Sequence, residues 1–173
     1  ILVGDRNAII IAIRKSGYGE EYTTQLTCPS CATVQPKSFD LNDFNIYKGD
    51  KIDQLDLLDQ HDGTFLTELP KTKLKVKFRL LTGKHENDLT AGMNHDRKKN
   101  QTERIVTRQL RSMIVSVNDN SSAEVVNYVI DNIPSMDSRH LRLAYKLAAP
   151  TVDLTQHFIC NECDYEQDLE VPL

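Results

Sequence analysis

The clearest hydrophobic pattern in the chain is an alternation of apolar and polar residues over residues 74–80. The apolar positions of this stretch are Leu74, Val76, Phe78 and Leu80. Because successive side chains of a strand point to opposite faces of a sheet, the alternation predicts a β-strand with one buried face. Residues 64–69 form a second extended run, and Pro70 opens the polar turn between the two runs. We therefore predict a β-hairpin over residues 64–80.

Basic residues occupy the other face of the strand over residues 74–80 and the turn that precedes this strand. They are Lys71, Lys73, Lys75, Lys77 and Arg79. Charged side chains on the outer face of a strand usually face solvent or protect a sheet edge, and we interpret these residues in that way. An acidic protein partner is the second interpretation.

A helical period of apolar residues predicts helices on both sides of the hairpin. Residues 6–16 are apolar almost all the way round, which predicts a largely buried helix with Asp5 as its N-cap and Gly17 as its C-terminal stop. After the hairpin, a polar helix is predicted first, followed by three short amphipathic helices that pack as a cluster. The four predicted ranges are 83–101, 102–117, 121–133 and 139–148.

Two of these helices carry start signals. Residues 121–124, with the sequence Ser-Ser-Ala-Glu, are typical of a capping box, in which side chains at the helix start bond free backbone N–H groups. Asp137 or Ser138 is the predicted cap of the last helix.

Two distant stretches of the chain resemble each other, since each has an extended arm, a C-x-x-C turn and a second extended arm. Together they contain every cysteine of the sequence: Cys28, Cys31, Cys160 and Cys163. Two intervening residues let a tight turn aim both sulfurs at one point, and two such turns complete a tetrahedral Zn²⁺ site with Zn–S distances of about 2.3 Å. We predict that these four cysteines bind a structural Zn²⁺ that joins the N- and C-terminal arms. His157 is predicted to be an ordinary strand residue.

Other interpretations of the cysteines fit the sequence less well. A thioredoxin-like redox motif needs a C-x-x-C at a helix start after a strand, whereas both pairs here lie between strand-like arms. A disulfide framework is typical of small secreted chains that lack a core. Catalysis at the metal would need an open coordination position, and four thiolates leave none.

Composition and charge narrow the function classes. Of the 173 residues, 39% are hydrophobic and 27% are charged, which is typical of a globular protein. The formal net charge is −4 at pH 7, whereas a general nucleic-acid-binding surface is normally basic. No apolar run approaches the roughly 20 residues that cross a bilayer, and no signal peptide is visible, so we predict no membrane association. Reduced thiolates indicate folding in a reducing cytoplasm.

The sequence gives no sign of an enzyme. It contains no G-x-S-x-G, no G-x-x-x-x-G-K-[ST] and no G-x-G-x-x-G motif. His140 lies in a helix of mixed character, where a surface histidine is more usual than a catalytic one. The acidic stretch of residues 41–62 lacks the glycine and glutamate positions of an EF-hand, so we predict a solvated loop or short helix there.

The predicted fold is α+β, with a compact helical cluster, β-hairpins and a zinc-ribbon-like lobe of four cysteines. Residues 1–173 are predicted to form a single domain. Its parts are a zinc lobe from residues 20–41 and 154–173, a hairpin of residues 64–80 and a helical lobe of residues 84–150.

The order of several short motifs along nearly the whole chain resembles a known family. The motifs are Asp5-Arg6-Asn7-Ala8, Tyr18-Gly19-x-x-Tyr22, Cys28-Pro29-x-Cys31, Ser38-Phe39-Asp40-Leu41, the Leu69–Arg79 hairpin, Pro134-x-x-Asp137-Ser138-Arg139, Val152-Asp153-Leu154-Thr155-Gln156 and Phe158-x-Cys160-x-x-Cys163 followed by Glu170-Val171-Pro172-Leu173. In this order they resemble the T4-type bacteriophage baseplate family, the small hub or hub-assembly proteins of contractile-tailed phages. One departure is Ala32 and Asp164, where zinc-knuckle turns usually have glycine after the second cysteine.

The resemblance implies a structural or assembly component of a phage tail baseplate hub, oligomeric within the assembly and in contact with other tail and baseplate proteins. It implies a place in the virion tail baseplate, reached through the host cytoplasm during assembly. A tail assembly chaperone absent from the finished virion is one alternative. A zinc-ribbon module for nucleic-acid binding or transcription is another, although the acidic flanks of the cysteine turns would repel phosphate. A thiol oxidoreductase is the third class, distinguished by cysteines that cycle to a disulfide.

Overall fold

The computed structural model describes residues 1–98 and 105–173 and has α+β architecture, which confirms the predicted fold class. The helices of the described residues are α1 (Val3–Tyr18), α2 (Gly83–Lys98), α3 (Ile105–Met113), α4 (Ala123–Asp131) and α5 (Ser135–Ala148). The strands are β1 (Glu21–Thr27), β2 (Val34–Asp40), β3 (Asn45–Tyr47), β4 (Leu58–Asp59), β5 (Thr64–Glu68), β6 (Lys75–Arg79), β7 (Ile114–Val117), β8 (Thr151–Asp153), β9 (Thr155–Ile159) and β10 (Glu166–Glu170).

The chain divides into two compact units. Unit 1 comprises Ile1–Val3 and Lys48–Pro150, and unit 2 comprises Gly4–Tyr47 and Thr151–Leu173. Unit 2 is therefore built from two distant segments of the sequence, and unit 1 from the long segment between them together with the first three residues.

Unit 1 contains an antiparallel sheet in the order β4-β5-β6-β7. The strand predicted from the alternation is β6, which pairs with β5 from Thr64↔Arg79 to Glu68↔Lys75. Val76 and Phe78 of β6 are fully buried, because the inner face of the sheet packs on a core completed by α3, α4 and α5.

Polar side chains on α5 fasten this helix to the β5–β6 hairpin. The carboxylate of Asp137 accepts hydrogen bonds from the backbone N–H groups of Lys71 (2.8 Å) and Thr72 (3.1 Å). The hydroxyl of Tyr145 accepts one from the Leu81 N–H at 3.1 Å. The predicted capping role of Asp137 is wrong, since α5 begins at Ser135 and this carboxylate binds the hairpin turn instead.

The predicted helix over residues 102–117 is too long. Helix α3 ends at Met113, and the last four residues form strand β7, in which Ile114 and Val117 pair with β6. Apolar β-branched residues fit either structure by their pattern, and here pairing with an existing strand decides between them. Residues 102–104 lie outside the described residues, as do residues 99–101 at the end of the preceding predicted helix.

Other predicted helix ends are also wrong. Helix α1 begins at Val3, so Asp5 lies in its first turn and is not its N-cap. Ser122 is the N-cap residue of α4, but its side chain makes no capping hydrogen bond. The Ser122 N–H instead donates to the side chain of Asn120 in the preceding turn, at 2.9 Å. Helix α1 continues past the predicted stop at Gly17 and ends at Tyr18. The Gly19 N–H then donates to the Lys15 carbonyl at 3.1 Å, and Gly19 itself has a φ of 90°.

Helix α1 is also less buried than its sequence predicts. Only Ile11 is buried along it, while Ile9 and Ile13 are exposed. Residues 41–62, predicted as a loop or short helix, contain a single 3₁₀ turn (Ile52–Leu55) and the short strands β3 and β4.

Unit 2 consists of α1 and three two-stranded antiparallel sheets, β1-β2, β9-β10 and β3-β8. Its buried cluster includes Leu26 and Phe39 of the first hairpin, Phe158 of the second and Val171 after β10. Both hairpins therefore contribute to one core, and each carries one C-x-x-C turn at its tip.

Candidate metal centre

The two cysteine turns have the same backbone geometry. In the first turn, Cys28 N–H donates to the Thr33 carbonyl at 2.9 Å, and Ala32 N–H donates to the Cys28 carbonyl at 2.9 Å. These bonds close the turn between two paired strands, so the positions of its sulfurs follow from the hairpin itself.

The second turn repeats the pattern at the corresponding residues. Cys160 N–H donates to the Tyr165 carbonyl at 2.9 Å, and Asp164 N–H donates to the Cys160 carbonyl at 3.1 Å. The sequence similarity between the two stretches therefore corresponds to a structural similarity.

A backbone N–H group also points at the first sulfur of each turn. Ser30 N–H lies 3.4 Å from Cys28 Sγ, and Glu162 N–H lies 3.4 Å from Cys160 Sγ. Hydrogen bonds of this kind favour the charged form of the acceptor, here the thiolate. The turns are thus arranged to stabilise thiolates, the form of cysteine that binds metal.

The residue after the second cysteine of each turn has a left-handed backbone conformation. Ala32 has φ of 60° and Asp164 has φ of 55°. This conformation explains why glycine usually stands there, since glycine adopts it without the steric penalty that a Cβ brings. The two departures from glycine noted in the sequence therefore leave the turn geometry intact.

The four sulfurs converge on one point. Cys28 Sγ lies 3.7 Å from Cys163 Sγ, and Cys31 Sγ lies 3.7 Å from Cys160 Sγ. All four sulfurs lie within 4.8 Å of one another, and none is in a disulfide. A tetrahedral site with Zn–S distances of about 2.3 Å has sulfur–sulfur edges of about 3.8 Å, so this donor set fits a metal ion.

Burial separates the four cysteines into two pairs. Cys28 and Cys160, the first cysteine of each turn, are buried, whereas Cys31 and Cys163 are exposed. One edge of the cluster therefore faces solvent, which gives a metal ion a path of entry.

The pKa values of the two exposed thiols are shifted in opposite directions. Cys31 Sγ lies 3.3 Å from Thr33 Oγ1, and the interactions with the Thr33 side chain and backbone lower the pKa of Cys31 to about 6. At Cys163 the Tyr165 backbone lowers the pKa, but desolvation and the neighbouring cysteine sulfurs outweigh it and raise the pKa to about 12. Adjacent thiolates repel one another, and a metal cation would offset their charge, so the four sulfurs could hold a metal ion.

A glutamine that sequence reasoning missed connects the two turns. Gln35 of β2 is 6% exposed; its Nε2 donates to the Ile159 carbonyl at 3.1 Å, and its Oε1 accepts from Asn161 N–H at 3.0 Å. The available signal was that Gln35 shares a strand face with Phe39, a buried core residue.

A second contact in unit 2 ties the C-terminal arm to the first hairpin. The Tyr22 hydroxyl donates to the Pro172 carbonyl at 2.8 Å, and the guanidinium of Arg14 lies 4.6 Å from the centre of the Tyr22 ring. Val171 N–H donates to the Leu154 carbonyl at 2.9 Å. These contacts hold the arm at the end of the hairpin farthest from the cysteines.

His157 lies in strand β9 and is exposed. Its ring nitrogens lie 3.5 Å from Glu166 Oε2 and 3.1 Å from Asp168 Oδ1, both on the paired strand β10. In the described residues, the group of metal-binding side chains close enough to share an ion consists of the four cysteines, without His157.

The comparisons with known proteins bear on the whole chain. A protein-family model described as "T4 bacteriophage base plate protein" matches residues 1–172. No curated protein and no solved structure matches the chain. Within the described residues, no helix combines the length and the apolar character needed to cross a membrane.

Proposed function

This chain belongs to the family of T4 bacteriophage base plate proteins, and from that premise we propose that it is a structural or assembly component of a phage tail baseplate hub. It holds one structural Zn²⁺ through Cys28, Cys31, Cys160 and Cys163, and it makes protein–protein contacts with other tail proteins. It assembles in the host cytoplasm and is retained in the virion tail baseplate.

The observation that carries the zinc proposal is the convergence of four sulfurs from distant parts of the chain. Two sulfur pairs at 3.7 Å join residues that are 135 and 129 positions apart. A bound Zn²⁺ supplies a strong cross-link between thiolates and no open position for a substrate. The cysteines therefore serve to fix the two hairpins together, which is a structural task and not a catalytic one.

Charge supports protein partners over nucleic acid for unit 2. This unit contains eleven Asp and Glu residues against four Lys and Arg residues, and residues 151–173 contain six acidic residues and no Lys or Arg. Such a surface repels a phosphate backbone. A salt-dependent affinity for DNA or RNA would favour the zinc-ribbon nucleic-acid module instead.

Unit 1 supplies the proposed contacts with neighbouring tail proteins. Large apolar side chains are exposed on its helices, among them Tyr128, Met136 and Leu143. The hairpin adds the basic residues around β6. A chain in which Lys73, Lys75 and Lys77 are replaced by Glu is expected to fold normally but to assemble poorly. Unaltered assembly would count against the hairpin as a contact with other tail proteins.

The proposal is tested in a phage that lacks this gene. Wild-type chain supplied in the host is expected to restore baseplates counted by electron microscopy, whereas a Cys28→Ser chain is not. Mass spectrometry of purified virions is expected to detect the chain. Its presence in assembly intermediates but not in virions would identify a tail assembly chaperone, and normal baseplates without the gene would overturn the proposal.

A further inference from the structure

Gln35 places one side-chain amide between the two cysteine turns. Its donor bonds the Ile159 carbonyl and its acceptor bonds the Asn161 N–H, so it bonds the residues on both sides of Cys160. Cys160 is fully buried, and its sulfur lies 3.7 Å from Cys31 in the turn that precedes Gln35. The amide therefore fixes the backbone that carries one sulfur relative to the turn that carries its neighbour.

The bonds of Gln35 require no metal ion. They join backbone groups of the second turn to a side chain of the first hairpin, and both partners of the amide are satisfied. Leaving buried polar groups without partners is unfavourable, so the amide opposes separation of the two turns. Phe39 and Phe158, one from each hairpin, add a shared apolar contact surface in the same core.

The second hairpin has a glutamine at the corresponding position, but its side chain bonds within its own hairpin. Gln167 follows Cys163 by four residues, as Gln35 follows Cys31. Gln167 is exposed, and its Oε1 accepts a hydrogen bond from the hydroxyl of Tyr165 in its own hairpin, at 2.6 Å. The repeated residue therefore has a cross-hairpin bond at one position and a local bond at the other.

We propose that Gln35 is a positioning residue that docks the second cysteine turn onto the first before metal binds, so that the four sulfurs are already gathered in the metal-free chain. This inference rests on the proposed metal site. Metal binding then locks an arrangement that the hairpins have already formed. Gln167 has no such role.

The first arm of the test compares Gln35→Met with Gln167→Met, because methionine keeps the length of the side chain and removes its hydrogen bonds. Zn²⁺ affinity is measured by competition with a chromogenic chelator under reducing conditions. Loss of a residue that orients metal ligands typically weakens metal affinity by about 10- to 100-fold, and we expect Gln35→Met to fall in that range. Gln167→Met is expected to stay within about twofold of wild type.

The second arm follows amide hydrogen exchange in the metal-free chain. Asn161 N–H, which bonds Gln35, is expected to be protected in wild type and to lose protection in Gln35→Met. Cys160 N–H, which bonds Tyr165 within its own turn, is expected to stay protected in both. Retained protection at Cys160 shows that the hairpin is folded, so loss at Asn161 reports undocking and not unfolding.

Equal zinc affinities of Gln35→Met and Gln167→Met, or an unprotected Asn161 N–H in the metal-free wild type, would overturn the inference. A wild-type chain that takes up no metal would instead overturn the proposed metal site. The exchange measurement on that same chain would still decide whether Gln35 docks the two turns.

Discussion

The two units of this chain are stabilised in different ways. Unit 1 has a four-stranded sheet covered by helices, and its hydrophobic core cluster consists of aliphatic side chains, Met113 and Phe78, with the buried Asp137 bonded to the hairpin turn beside it. Unit 2 has only two-stranded sheets in the described structure, and its buried cluster includes two cysteines, Cys28 and Cys160. An isolated two-stranded hairpin is marginally stable in water, whereas three or more strands on a core fold independently. We therefore expect links between the hairpins to contribute more to the stability of unit 2 than to that of unit 1.

The order of the two units along the chain bears on this difference. The hairpins of unit 2 come from two distant segments of the sequence, and most of unit 1 (Lys48–Pro150) lies between those segments along the chain. The proposed metal cross-link would close that long loop directly, because its strength does not depend on a large buried area. The comparison predicts that changes at the metal and changes in the apolar core have separable effects.

The largest effect is expected for Cys28→Ser and Cys160→Ser. Each change removes one of the four proposed ligands, so metal content should fall from the proposed one ion per chain to none, with the loss of several kcal/mol of stability in unit 2. Elemental analysis of reduced protein and hydrogen exchange of the two units check this. Amide protection should fall in unit 2 and persist in unit 1.

Ser30→Ala provides the matched control for these variants. It lies in the same turn, and only its backbone N–H contacts Cys28 Sγ, so the bond survives the change. Full metal content is expected in this control. Full metal content in the cysteine variants would contradict the metal site, and reversible disulfides in a metal-free wild type would favour the redox interpretation.

The reciprocal change is Leu141→Ala in the core of unit 1. Leu141 is 0% exposed, and truncation of a buried leucine leaves a cavity that costs about 2–5 kcal/mol. Urea unfolding should show this loss while metal content remains that of wild type. Leu143→Ala on the same helix is the control, because Leu143 is 46% exposed. A loss of metal in Leu141→Ala would show that the two units do not separate as described.

The convergence of the four cysteines could be predicted from sequence, because each turn carries its own C-x-x-C signal. A C-x-x-C spacing fixes two sulfurs locally, and two such turns are enough to predict four ligands. The role of Gln35 could not be predicted in the same way, since its partners Ile159 and Asn161 are 124 and 126 residues away. Nothing near Gln35 in the sequence indicates which backbone groups its side chain will hydrogen-bond.

The fold of unit 1 shows the same limit. The alternation of β6 has one structural meaning, so the hairpin could be predicted. The apolar residues 114–117 continue a helical pattern equally well, and only pairing with β6 makes them a strand. Asp137 stands where a helix cap is expected, but the groups it binds, at Lys71 and Thr72, are 66 and 65 residues away.

A smaller effect is expected for Asp137→Asn in unit 1. Each oxygen of the buried carboxylate accepts one backbone N–H, and asparagine replaces one of these oxygens with an NH₂ donor, so we expect a loss of about 1–3 kcal/mol. Thermal unfolding and hydrogen exchange at the Lys71 and Thr72 amides measure it. The loss should appear in unit 1 with metal content unchanged, which sharpens the separation between the units.

Asp131→Asn is the control for this prediction. Asp131 is exposed and pairs with Arg111 at 3.2 Å, and an exposed ion pair contributes at most about 1 kcal/mol. If the two variants lose equal stability, the hydrogen bonds of Asp137 do not anchor the hairpin turn.

The smallest effect is expected inside unit 2, at positions that bind no metal. Ala32→Gly relieves the steric penalty of a left-handed alanine, about 1–2 kcal/mol, but increases the freedom of the unfolded chain, so the net gain should be below about 1 kcal/mol. Asp164→Gly should gain less, because aspartate tolerates this conformation better than alanine. The unfolding midpoints of the metal-loaded variants measure both. Since each change keeps all four ligands, metal content should stay constant; a destabilised Ala32→Gly would mean that the Ala32 methyl makes contacts that outweigh its strain.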